Sequence, residues 1–206
     1  MRSVDGRARR RHWVSFLRRV GSLPAVLLLA CAPSPPASPE VGAARGVRTG
    51  APVVLERACT VVGPERCFNA ADDNCNGLID EGCGGRTGLL QFTIAWGDAQ
   101  ADVDLEVTDP NGELAEIGRT TQSGLTKERD CPGANDQCQG QNTENVYLEE
   151  GDPLRGQYRV RVRLERLGRS EPPLEVTLGG RLGPKTFAAQ VVLTTPGQTE
   201  ELKLTL

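Results

Sequence analysis

The sequence predicts a mainly β protein: an antiparallel β-sandwich preceded by a small disulfide-rich loop segment and a disordered N-terminal tether. Three observations carry that expectation. From Gly88 to Leu206, apolar residues alternate with polar ones in short runs bounded by Gly, Pro, Asn and Asp. That is the period of a strand with one face in a core and the other in water. No stretch of this region repeats its apolar residues at the helical period of 3.6, so amphipathic helices are not expected. Finally, Cys59, Cys67, Cys75 and Cys83 fall at an even spacing of eight in a segment rich in Asn, Asp and Gly. Such a composition favours turns stapled by disulfides over a core of its own.

Residues 1–30 read as a leader that is removed. Arg7, Arg9, Arg10, Arg11, Arg18 and Arg19 make a basic start, and Val20 to Ala30 is a short apolar run. The run falls short of the ~20 residues that span a bilayer, and it suits the apolar segment of a signal peptide. It closes on Leu28-Leu29-Ala30-Cys31, which is similar to the lipobox of bacterial lipoproteins. That resemblance implies that Cys31 becomes the acylated first residue of the mature protein, anchored to the cell envelope, most simply at a Gram-negative outer membrane. The alternative is an ordinary signal peptide with a chance cysteine.

Removal of residues 1–30 changes the chemistry of the remainder. Seven of the 24 Lys+Arg and one of the 27 Asp+Glu go, leaving 17 basic and 26 acidic residues and a formal charge of −9. A chain that acidic has no electrostatic reason to bind nucleic acid. The single His (His12) and single Met (Met1) go as well. Residues 31–206 therefore offer no imidazole for a Ser-His-Asp or Cys-His mechanism or for a His-ligated zinc.

With Cys31 acylated, six of the seven cysteines remain, an even number suited to an oxidising compartment. Four of them, Cys59, Cys67, Cys75 and Cys83, allow three pairings, and their spacing does not choose among these. Cys131 and Cys138, separated by a Gly- and Asn-containing hexapeptide, are expected to pair with each other. Residues 31–52, rich in Pro, Ala, Gly and Ser, cannot bury enough apolar surface to offset their ordering entropy and read as a linker. Residues 53–86 form the cysteine-rich segment. Two disulfides, each contributing about 2–4 kcal/mol, would dominate its stability.

Inside that segment lies Asp72-x-Asn74-x-Asn76-Gly77-Leu78-Ile79-Asp80. Oxygen-bearing side chains at every second position converge on one point only if the backbone curls tightly, and Gly77 permits the turn. Hard cations such as calcium take several oxygens around one point. The spacing matches the first, third, fifth, sixth and ninth positions of an EF-hand-type loop, with Leu78 supplying a carbonyl and Asp80 or Glu81 a further carboxylate. The twelfth position, a bidentate Glu in an EF-hand, is Cys83. The sequence leaves open a second reading, an Asx-rich stapled turn that binds nothing. The segment also resembles the MopE-type cysteine-rich metal-binding repeats of deltaproteobacterial surface proteins, through Glu65, Cys67, Asp73, Asn74, Cys75, Asn76, Gly77, Asp80, Glu81 and Cys83. Phe68-Asn69 replaces that pattern's Asp-Gly, and Asn76 replaces an Asp, which lowers the formal charge. Calcium is the cofactor these residues imply.

In residues 87–206 the alternating runs are Leu90–Trp96, Val103–Val107, Tyr158–Leu164, Leu174–Leu178, Val191–Leu193 and Leu202–Leu206, with a turn signal at Asp109-Pro110-Asn111-Gly112. Seven or eight strands in so short a region suit one sandwich. Trp96, Asp102, Asp104, Leu105, Val107, Asp109, Pro110 and Gly112 come first, followed downstream by Glu144-Asn145-Val146-Tyr147, Gly156 and Tyr158. This order resembles YfaP-type β-sandwich domains, which implies an exported module. The chain departs from that pattern where Lys127-Glu128-Arg129-Asp130 and the Cys131–Cys138 insert replace an acidic element. Val103, Leu105 and Val107 form the apolar face of their strand, so Asp102, Asp104 and Glu106 face away from the core. They form either a solvated acidic face or, through Asp102 and Asp104 with Asp130 or Asn145, a second calcium clamp. Trp96, Tyr147 and Tyr158 are expected to pack rather than to hold a sugar.

These features point to a non-catalytic, lipid-anchored cell-envelope protein, a calcium-binding structural or interaction module. The alternatives are a surface adhesin for a glycan, peptide or envelope protein and, third, a carboxylate-dependent hydrolase.

Overall fold

The computed structural model describes residues 47–49, 55–56, 61, 63–132, 138 and 140–206. The leader, the lipobox with Cys31, and Cys59 lie outside the described residues. The described chain forms ten strands and no helix: β1 Val47–Thr49, β2 Leu55–Glu56, β3 Leu90–Trp96, β4 Asp102–Thr108, β5 Thr126–Arg129, β6 Thr143–Leu148, β7 Gln157–Arg166, β8 Leu174–Leu182, β9 Lys185–Leu193 and β10 Thr199–Thr205. They assemble into a four-stranded sheet ordered β1-β10-β7-β4 and a six-stranded sheet ordered β2-β9-β8-β3-β6-β5. Every pairing is antiparallel. β1 lies within the stretch read as linker, and it adds to the edge of the smaller sheet beside β10.

The core forms where the apolar sets of the two sheets meet. Val103, Leu105 and Val107 of β4 and Tyr158, Val160, Val162 and Leu164 of β7 face Phe92, Ile94, Val176, Leu178 and Val191 of the larger sheet. Strand β4 alternates between buried and half-buried and β7 between buried and exposed, as the period-two pattern predicts. Trp96 and Tyr158 are core residues whose polar ends are satisfied: Trp96 Nε1 donates to Ala101 O at 3.1 Å and Tyr158 Oη to Leu154 O at 3.0 Å. The Asp109 turn forms through Asp109 Oδ1, which accepts from Asn111 N and Glu113 N, both at 2.9 Å.

Strand β3 departs from the half-buried expectation, because every one of its residues is buried. Its outward face is covered by the cysteine-rich segment, which packs on the six-stranded sheet through Ala70 and Ile79, at 0% and 1% exposure. Two adjacent glycines of β8 make room on both sides of that sheet. A Cβ on Gly179 would stand 2.1 Å from Ala70 O, and one on Gly180 would meet the Phe187 ring at 2.0 Å. Gly77 is needed twice over. Its φ is +85°, and a Cβ there would come within 2.9 Å of Pro184 O in the β8–β9 turn.

Candidate functional site

Two carboxylate-rich sites emerge, one in the cysteine-rich segment and one at the rim of the sandwich. The first is closed by Cys67–Cys83, with Cα atoms 5.3 Å apart, a bridge found in one of the three pairings open in the sequence. Cys75 is also disulfide-bonded. The Asp72 carboxylate organises the loop: Oδ1 accepts from Asn76 N at 3.0 Å, and Oδ2 from Gly77 N at 3.0 Å and from Thr186 Oγ1 on β9 at 2.8 Å. Asn74 and Asn76 turn toward Glu81, each donating from Nδ2 to Glu81 Oε1, at 2.6 and 2.5 Å. Their Oδ1 atoms accept from Asn76 N and Leu78 N, as in Asx turns.

The loop thus brings together Asp72, Asn74, Asn76 and Glu81, whereas Asp80 points elsewhere. Its carboxylate accepts from Asn69 N at 3.2 Å and Ala70 N at 3.0 Å and so holds the preceding turn. Burial pushes the Asp80 carboxyl up, against the pull of those N–H donors. Glu65 ties the segment together by accepting from Asp73 N at 3.2 Å and Asp80 N at 3.1 Å. Its carboxyl is pushed up to about 7, by burial first and then by the negative charge of Glu81. Among the described residues no Lys or Arg forms a salt bridge with Glu65, Asp72, Asp73, Asp80 or Glu81. Glu81 Oε2 is buried and has no hydrogen-bond partner. Arg181 of β8 attracts the Asp72 carboxylate without a salt bridge, and Glu81 in turn repels Glu65.

The second site lies where β4, the edge of the smaller sheet, meets β5 and β6 of the larger. Oxygens of Asp104, Asp130 and Glu144 lie within 4.8 Å of one another. Lys127 Nζ sits among them, 2.9 Å from Glu144 Oε2 and 3.2 Å from Asp130 Oδ1. Glu144 is fully buried and also accepts from Leu105 N at 2.7 Å and Cys131 N at 3.0 Å. It thereby satisfies an edge-strand N–H that no neighbouring strand could reach. Burial pushes the Glu144 carboxyl up, to about 8, against the pull of Lys127. Burial would lower the Lys127 ammonium, but the adjacent Glu144 and Asp130 outweigh it and hold its proton more tightly than usual. The first favours a neutral carboxyl and the second a charged ammonium. The three N–H donors around Glu144 all require an acceptor, so we take the ion pair as the resting form. Asp104 is pushed up to about 6, mainly by burial, with Lys127 opposing.

Of the four residues considered for a second cation, Asp104 and Asp130 meet, but around the Lys127 ammonium. Asp102 lies opposite Arg166 on β7, 3.7 Å from its guanidinium. Asn145 faces the other side of the six-stranded sheet, with Oδ1 accepting from Thr93 Oγ1 at 2.8 Å. The residue that reaches the cluster is its neighbour Glu144. The alternation of β6 carries that signal: Val146 and Leu148 face the core, so Glu144 must as well. Cys131 and Cys138 pair as expected, with Cα atoms 5.2 Å apart, and Cys131 N reaches Glu144 of this cluster. No family model, no curated protein and no solved structure matches the chain.

Proposed function

We propose that this chain is a non-catalytic, lipid-anchored module of the cell envelope whose cysteine-stapled loop takes up calcium and is tightened by it onto the sandwich. The observation that carries this reading is the buried Glu81 Oε2 atom, without a partner, in a segment where Glu65, Asp72, Asp73, Asp80 and Glu81 form no salt bridge with a described Lys or Arg. Asp72, Asn74, Asn76 and Glu81, with the Leu78 carbonyl, are oxygen ligands of the kind a hard cation takes. A bound cation would offset the like-charge repulsion between Glu81 and Glu65. Asp80 is committed to the 68–70 turn and contributes structure. Asn74 and Asn76 present Nδ2 rather than Oδ1 toward Glu81, so the amides must turn to coordinate. Binding should therefore be weak, with a Kd of about 10⁻⁴–10⁻³ M.

The test is the melting of the full-length chain in EDTA and in excess calcium. At ten times Kd the cation stabilises by about 1.4 kcal/mol, equivalent to a rise of roughly 4–6 °C. The Glu81→Gln variant should lose that response and melt higher than the parent in EDTA, because it removes the charge next to Glu65. Identical parent melting curves in EDTA and in calcium would leave the segment as a stapled turn.

A further inference from the structure

The cysteine-rich segment and the six-stranded sheet enclose a groove of about 680 Å³, within the ~300–1,000 Å³ of small-molecule sites. Its floor is the outer face of β3 and β6, built from Gln91, Thr93, Thr143 and Asn145, all buried. Three of these side chains are locked together. Gln91 Nε2 donates to Thr93 Oγ1 at 3.0 Å and Asn145 Oδ1 at 3.2 Å, while Asn145 Nδ2 donates to Arg86 O at 2.8 Å and Glu128 Oε2 at 2.9 Å. This network fixes the Gln91 amide, since exchanging its oxygen and nitrogen would set two acceptors against each other. Gln91 Oε1 is left as a buried acceptor with no donor in the protein.

The walls differ in character. On one side Phe68 and Ile79 present apolar surface. Phe68 sits at φ +63°, a conformation that bulky residues seldom adopt, and the Asp80 carboxylate holds the turn that follows it. Strain of this kind persists where the surroundings over-determine it, and it clusters at ligand sites. The lining holds Arg86 and Arg129 with Asp80, Glu128 and Asp130; Asp80 is taken up by the N–H groups of the 68–70 turn, and the mixed signs offer an anion no cluster of cations.

We propose that this groove binds a neutral saccharide, with a pyranose face against Phe68 and hydroxyls against the floor of Thr93, Thr143, Asn145 and Gln91. Hydroxyls both donate and accept, which suits a floor of interleaved amides and hydroxyls without net charge. An apolar wall beside such a floor matches a ring whose faces carry C–H and whose edges carry O–H. An extended peptide would dock on a free strand edge, whereas this floor is the face of strands paired on both sides. The proposal does not rest on the calcium reading, and either can fail without the other.

The test titrates the ¹⁵N-labelled full-length chain with cellobiose, maltose and N,N′-diacetylchitobiose in the millimolar range, with triglycine in parallel. At least one sugar is expected to shift the side-chain amide signals of Gln91 and Asn145. Phe68→Gly relieves the positive φ while removing the ring, and Thr143→Val keeps the floor's shape without its hydroxyl. Each should weaken that binding roughly tenfold with an unchanged fold by circular dichroism. The proposal is overturned if no sugar shifts the spectrum, if the shifts avoid those two amides, if both variants bind like the parent, or if only triglycine responds.

Discussion

Substituting Gly179 by alanine tests how the cysteine-rich segment is seated. The added Cβ would stand 2.1 Å from Ala70 O and 2.9 Å from Ala70 C, with Ile79 Cδ1 at 3.3 Å. The first two are backbone atoms, so no side-chain rotation relieves the clash, and either β8 or the 68–80 loop must move by about 1 Å. If the segment stays docked, the overpacking costs about 1–3 kcal/mol. If it lifts off, the burial of Ile79 is lost, about 1.5–3 kcal/mol. The charged hydrogen bond from Thr186 Oγ1 to Asp72 is lost as well, about 1.5–3 kcal/mol. The chain takes the cheaper route, so the expected loss is about 2–3 kcal/mol, read from urea unfolding of the full-length chain. Tryptic cleavage at the exposed Arg66 and Arg86 should quicken in parallel. Gly97→Ala is the control, because nothing lies within 4 Å of its Cβ position and its φ is ordinary. A Gly179→Ala protein within 0.5 kcal/mol of the Gly97→Ala control, cut no faster, would refute the docking argument.

The rim cluster and the anchor supply three further expectations. Lys127→Met removes the cation between Glu144 and Asp130 and should cost about 3 kcal/mol at about pH 8 in urea unfolding. The deficit should shrink at about pH 5 as the stranded carboxyls take up protons, and a pH-independent deficit would contradict the ion-pair reading. Asp104 has a folded pKa raised from 3.8 to about 6, so its ionisation works against the fold as pH rises through that window. Asp104→Asn should therefore stabilise by roughly 1 kcal/mol near pH 8, after discounting for partial exposure, and by nothing near pH 4; a gain equal at both pH values would count against it. Cys31→Ser should move the exported product from the membrane to the soluble fraction, since stable anchoring takes more than one buried acyl chain. Equal partitioning of variant and parent would end the lipoprotein reading.

Much of the fold is local information. Alternation in 90–96, 103–107, 158–164, 174–178 and 202–206 marks five strands because a half-buried strand needs little more than its own period. The close approach of Cys131 and Cys138 follows from a short turn-forming insert. Strand β5 is not legible in this way. Thr126-Lys127-Glu128-Arg129 carries no apolar residue, and it becomes a strand because β6 offers it an edge.

The candidate sites divide along the same line. Spacing alone brings Asp72, Asn74 and Asn76 to one side of a tight loop, since contacts two residues apart are set by the backbone turn. It cannot say that Asp80 turns away to hold residues 68–70 while Glu81 closes the loop, because both carboxylates lie within reach. Nor could it show that the β3 face opposite the core is buried. That burial comes from a segment docking on Gly179, some hundred positions further along the chain. At the rim, local alternation places Asp104 outside the core, but only the meeting of two sheet edges sets Lys127 between Asp130 and Glu144. Strand period and turn chemistry are properties of neighbours in sequence. Which face is covered, and which ammonium meets which carboxylate, depends on contacts between elements far apart in the chain.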